Sequence, residues 1–199
     1  MPWKRLSKSL IVLICTCAML IGIAGCRARG GYDAVNKADC LPDVQMTDQN
    51  GKTMSLASLK GKYNVIDFIY TSCPGPCLTL TSRMTNIARH LDPRVATNIN
   101  MVSITIDPEH DTPAQLLAYS HAQGADKNGQ IFLTSSPEAI EKILSAFNMR
   151  RERETDGSIT HVIGIFLVGP DGRELKEYGG DTLTSEAVLA DLQNIIKPG

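Results

Sequence analysis

Tyr63 to Cys77 reads YNVIDFIYTSCPGPC. Its first eight residues are β-branched and aromatic, the composition of a strand buried on both faces of a sheet. Two cysteines follow at once. From Pro76 onward Leu80, Met84, Ile87 and Leu91 recur at helical spacing, so the chain runs from a core strand through a cysteine loop into a helix. Thioredoxin-like redox sites occupy this same place. The positive end of the helix dipole and its unpaired N–H groups favour thiolate, so both Cys73 and Cys77 are expected to be more acidic than an ordinary cysteine.

Working outward, Val44 to Leu56 holds Asn50-Gly51 between short strand-like runs and predicts a hairpin with a type I′ turn. Ile99 to Ile106 is a second buried strand and Ile131-Phe132-Leu133 a short third one. Helices are predicted after Asp111-Thr112-Pro113, after Ser136-Pro137-Glu138, and from Thr184 to Ile196. His161 to Val168 reads as a strand, Asp171-Gly172 as a turn and Glu174 to Tyr178 as the returning strand. The order is that of an α/β thioredoxin-like fold, with a mixed central sheet flanked by helices and an added N-terminal β-hairpin.

The chain has 199 residues, 43% hydrophobic and 21% charged, enough for one domain with a real core. A net charge of -1 leaves no basic surplus for phosphates, which argues against nucleic acid as a partner. Lys4, Arg5 and Lys8 precede an apolar run from Leu10 to Ile23, shorter than the ~20 residues of a spanning helix. Ile21-Gly22-Ile23-Ala24-Gly25-Cys26 follows, the pattern of a bacterial lipoprotein signal. Residues 1–25 are therefore expected to be a signal peptide and Cys26 the lipid attachment site. Residues 26–39 would be a flexible tether and 40–199 the folded domain. The protein would be exported and membrane-anchored, facing the periplasm or cell exterior. Without its signal the chain carries 17 Lys and Arg against 21 Asp and Glu, a net charge of -4. Cys40, Cys73 and Cys77 then remain, an odd number that gives at least one thiol a task other than a framework disulfide.

The pair is Cys-x-x-x-Cys. One residue more than Cys-x-x-Cys lets both sulfurs face one open position, and soft thiolates select Cu(I), zinc or iron–sulfur clusters. Two thiolates are too few for a closed structural zinc site or an unaided cluster. In a thioredoxin fold the loop before the HVIGIFLV strand lies beside the redox cysteines. This chain puts His161 there, where generic thioredoxins place a proline, which makes it the candidate third ligand.

Three segments carry a family resemblance: DFIYTSCPGPC, the run from Val102 to Pro113, and Thr160-His161 followed by VIGIFLVGPDG. Together they resemble the Sco/SenC family of copper-binding proteins, over about Asp43 to Ile196. The resemblance implies a thioredoxin fold that binds one copper ion, as Cu(I) or Cu(II), through Cys73, Cys77 and His161. It also implies a part in building the copper centre of cytochrome c oxidase, with a copper-accepting subunit or similar cuproprotein as partner. Leu78 stands where many relatives have proline, and Thr160 where many have aspartate.

Two functions compete. A copper chaperone, not itself an enzyme, would pass metal by ligand exchange. A thiol–disulfide oxidoreductase would attack a partner disulfide with Cys73, with Cys77 resolving the mixed disulfide. His161 discriminates, since only the first needs it. Asp107-Pro108 is read as a turn with Asp111 or Thr112 as helix cap. Met84 is read as core, and His90, His110 and His121 as surface residues. The sequence leaves the role of Cys40 open.

Overall fold

The hairpin forms as β1 (Gln45–Asp48) and β2 (Thr53–Ser55). Its turn is not type I′, because Asn50 is not at positive φ; Gly51 alone takes the left-handed conformation, at +80°. The Asp48 carboxylate accepts the N–H groups of Asn50 and Lys52 at 2.8 and 2.9 Å and stabilises a longer loop. This computed structural model describes residues 39–196, so the signal segment, Cys26 and tether residues 27–38 lie outside the described residues.

The core strand is β3 (Tyr63–Ile69), buried along both faces after its first residue. It pairs in parallel with β4 (Ile99–Thr105), and β4 in parallel with β5 (Ile131–Thr134). On its other edge β3 meets β8 (Ile165–Val168) antiparallel, and β8 turns back into β9 (Glu174–Tyr178). The N-terminal hairpin extends the opposite edge, with β1 antiparallel to β5. The mixed sheet therefore has seven strands in the order β2-β1-β5-β4-β3-β8-β9.

Among the described residues four helices of ten residues or more flank it, α1 (Pro76–His90), α2 (Pro113–Ala122), α3 (Pro137–Ala146) and α4 (Ser185–Ile195), with a single short helical turn at Pro93–Ala96. Thr112, not Asp111, caps α2, through a capping box with Gln115; Ser136 and Thr184 cap α3 and α4. Strand alternation puts Asp67, Ser103 and Phe132 on one face, where Tyr119 of α2 meets Phe132 edge-on with centroids 6.0 Å apart. Phe68 and Phe166 point to the other face and stack edge-on with Phe147, just beyond α3, with centroids 5.1 Å away. Met84 is fully buried, as expected.

The strand expected over His161 to Val168 is split. Its first residue belongs to β7 (Ile159–His161), which pairs antiparallel with β6 (Arg151–Arg153) in a separate two-stranded sheet. The loop expected before His161 thus ends in one strand of a hairpin. Gly164 lies in the gap before β8, where a Cβ would come within 3.1 Å of the Tyr178 carbonyl oxygen. None of the described helices is long and apolar enough to cross a membrane.

Candidate metal and redox site

The loop from Tyr70 to Gly75 joins the C-terminal end of β3 to α1, with Pro76 at the first helical turn and Cys77 directly after it. The Cys77 N–H donates to the Cys73 sulfur at 3.3 Å, so the helix N-terminus grips that sulfur. Burial pushes the Cys73 thiol up. Hydrogen bonds from the Cys77 thiol, the Gly75 and Cys77 N–H groups and the Tyr70 hydroxyl outweigh it and hold Cys73 below the usual range. Cys77 behaves oppositely and corrects the expectation of two acidic cysteines. Full burial raises its thiol strongly, and the neighbouring Cys73 raises it further. One thiolate is stabilised and the second proton is retained.

The loop is held from below by Asp111. Its buried carboxylate accepts the Thr71 N–H at 3.0 Å and the hydroxyls of Thr71 and Thr105. Asp107 is likewise more than a turn former. Burial pushes its carboxyl up, but hydrogen bonds from His110 and Arg153 hold it below the usual carboxylate range. Arg151 reaches Glu109, Glu141 at 2.7 Å and the Ile106 carbonyl. Both arginines lie on β6, so the 106–111 loop anchors the hairpin that carries His161. His90, His110 and His121 are exposed.

His161 is half-buried. Its Nδ1 donates to the Val162 carbonyl at 2.8 Å, which fixes the tautomer and leaves the Nε2 lone pair free. Nε2 is buried without a hydrogen-bond partner. Burial lowers the imidazole pKa, so the ring is neutral, the form that binds metal. Its ring stands edge-on to Tyr70, centroids 6.2 Å apart. The three side chains singled out in the sequence are not gathered equally. Cys73 and Cys77 meet, while His161 stands across Tyr70, and no three His, Cys, Asp or Glu among the described residues form a ready metal cluster.

Comparison with known proteins decides the family: the SCO1/SenC family profile matches residues 33–197. The chain belongs to the SCO1/SenC family. Its fold is similar to that of Bradyrhizobium japonicum ScoI with copper bound, at 30% identity and TM-score 0.63, covering 76% of this chain and 96% of that one. A SCO1/SenC family lipoprotein from Bacillus anthracis is 28% identical with TM-score 0.68, over 77% and 93% of the two chains. BsSco, described as a cytochrome c oxidase assembly protein with a disulfide switch, is 31% identical with TM-score 0.66, over 77% and 91%.

Two buried groups beside this SCO1/SenC site carried no weight in the sequence reading. Asp67 sits in the middle of β3 with one oxygen accepting from Ser103 and the other without a partner; burial raises its pKa to about 7. Tyr70 is almost fully buried and touches both halves of the site. A lone carboxylate in an otherwise apolar core strand was the available signal for the first. The phenol had none. Two large hydrophobic side chains are notably exposed among the described residues, Leu78 and Val162, and each directly follows a site residue.

Proposed function

We propose that this chain is a membrane-anchored copper chaperone that carries one copper ion on Cys73, Cys77 and His161. Copper is its cargo. The observation that carries the reading is the His161 Nε2, a buried, unpartnered, neutral imidazole nitrogen on a hairpin next to the thiol pair. Burying such a nitrogen unsatisfied costs ~1–3 kcal/mol, which a metal bond would offset. Two soft sulfurs and one imidazole suit Cu(I). His161 must swing toward the sulfurs to complete the set, and the strand break at 162–164 leaves its hairpin independent of β8.

Each residue has a role in capture and release. The helix N-terminus holds Cys73 as the first sulfur to meet incoming metal. Cys77 gives up its proton on binding, since only thiolate ligates. His161 binds through Nε2 with Nδ1–H anchored on the Val162 carbonyl, the arrangement that orients a metal-bound histidine. Release proceeds by stepwise exchange onto the thiolates and imidazoles of an acceptor. The similarity to ScoI and to an oxidase assembly protein supports the copper centre of cytochrome c oxidase, or a related cuproprotein, as that acceptor. The N-terminal sequence and the similar lipoprotein support export and lipid attachment at Cys26.

The unequal acidity of the two cysteines favours a second reading, a thiol–disulfide reductase. Cys73 thiolate would attack one sulfur of a partner disulfide and release the other as thiolate; Cys77, giving up its proton, would then attack the Cys73 sulfur and release the bound partner sulfur, leaving Cys73–Cys77 oxidised and the partner as dithiol. His161 has no role in that exchange. Titration of the reduced protein with Cu(I) against a competing chelator separates the two. One tight equivalent is expected, weakened at least tenfold, ~1.4 kcal/mol, by His161→Ala. Weak binding indifferent to His161 would leave the reductase.

A further inference from the structure

The hairpin bearing His161 is held along two edges by different chemistry. On β6, Arg153 pairs with Asp107, and Arg151 with Glu109 and Glu141, on the 106–111 loop and α3. On β7, among the described residues, the buried Ile159 side chain packs in the core and its backbone is tied to a phenol. The Ile159 N–H faces away from β6 and donates to the Tyr70 oxygen at 3.3 Å. Tyr70 also opens the cysteine loop, where its carbonyl oxygen accepts the Cys73 N–H at 3.2 Å. One residue is thus tied to both halves of the site, by its carbonyl to the cysteine loop and by its hydroxyl to the His161 strand. Ile159 is two residues from His161 on the same strand, so what fixes one backbone fixes the other. The ring of Tyr70, against the His161 imidazole, sets the gap across which the ligands face each other.

We propose that the Tyr70 hydroxyl is a positioning group that couples the cysteine loop to the His161 strand, so that the imidazole is presented when copper is captured. The inference rests on the copper-site reading above. The ionic clamp on β6 reaches the cysteine loop only at one remove, through the 106–111 loop and the Asp111 contact to Thr71. The phenol reaches it directly, because Tyr70 is itself the first residue of that loop. Without it the hairpin remains attached through β6, and His161 pays a larger ordering cost to reach the metal.

Tyr70→Phe keeps the ring and its packing and removes only the hydroxyl. Cu(I) affinity is measured for four proteins: the unmodified chain, Tyr70→Phe, His161→Ala and the double variant. The coupling appears as a double-mutant cycle. Tyr70→Phe is expected to weaken Cu(I) about tenfold when His161 is present and by less than about twofold in the His161→Ala background. Amide exchange at Ile159 is expected to accelerate at least about tenfold while the β6 clamp persists. Equal weakening in both backgrounds, or none, would overturn the proposal, because a purely structural role or an effect through Cys73 alone does not depend on His161. Failure of the unmodified chain to take Cu(I) would remove the copper reading and this inference together, and it shows before any Tyr70 variant is compared.

Discussion

Replacing either Cys73 or Cys77 with serine abolishes tight copper binding, a loss on the order of a thousandfold or ~4 kcal/mol. A hydroxyl is a hard, protonated donor where Cu(I) demands a soft thiolate, and the remaining sulfur with one imidazole makes a poorer set. The two variants fail differently. Cys73→Ser removes the sulfur gripped by the helix N-terminus and also the neighbour that helps to raise Cys77, whose thiol then becomes more acidic. Cys77→Ser keeps Cys73, the more acidic of the pair, in the grip of the helix amides. Cys40→Ala serves as control. Its thiol donates to the Ala146 carbonyl at 3.4 Å, and the substitution leaves copper stoichiometry unchanged. Cu(I) competition titrations, with thermal melts to show that each variant folds, check these outcomes.

The second large effect is on stability. Asp67 is buried in β3, and its pKa rises from 3.8 to about 7 because the ionised form is desolvated. A raised carboxyl makes the folded state the better proton binder between those two values. Stability from this group is complete below pH 3.8 and is lost as pH climbs through 7, where the ionised form costs up to ~4 kcal/mol. Asp67→Asn stays neutral at every pH, and its carbonyl oxygen still accepts from Ser103. Urea unfolding should therefore find the unmodified protein losing stability between pH 5 and pH 8. The variant should lack that slope and be the more stable protein at pH 8. Parallel stability curves would show that Asp67 is ionised and compensated in the fold.

Much of this architecture was written in local pattern. The run YNVIDFIY could be buried only as a central strand, and proline next to Thr112, Ser136 and the cysteine loop marked three helix starts. The β6–β7 hairpin was not legible. Arg151-Glu152-Arg153 has no apolar alternation, and what stabilises it is pairing with Asp107, Glu109 and Glu141, residues 10 to 46 positions distant. The Asn50-Gly51 turn misled because Asp48 offers its carboxylate to two amides, a side-chain effect that a dipeptide signal omits. The cysteine spacing located the site but not its asymmetry. Acidity depends on depth, and Cys77 lies fully buried under the loop that presents Cys73. The three-segment resemblance pointed to His161. Its orphan nitrogen, and its separation from the sulfurs by Tyr70, follow from tertiary placement alone.

The central claim is a ligand set of two sulfurs and one imidazole. X-ray absorption at the copper edge of the Cu(I)-loaded, reduced protein reads that set directly. Two sulfur scatterers and one nitrogen scatterer are expected, with the nitrogen and its outer-ring imidazole signature lost in His161→Ala. Two sulfurs alone, with a spectrum unchanged by His161→Ala, would contradict the account.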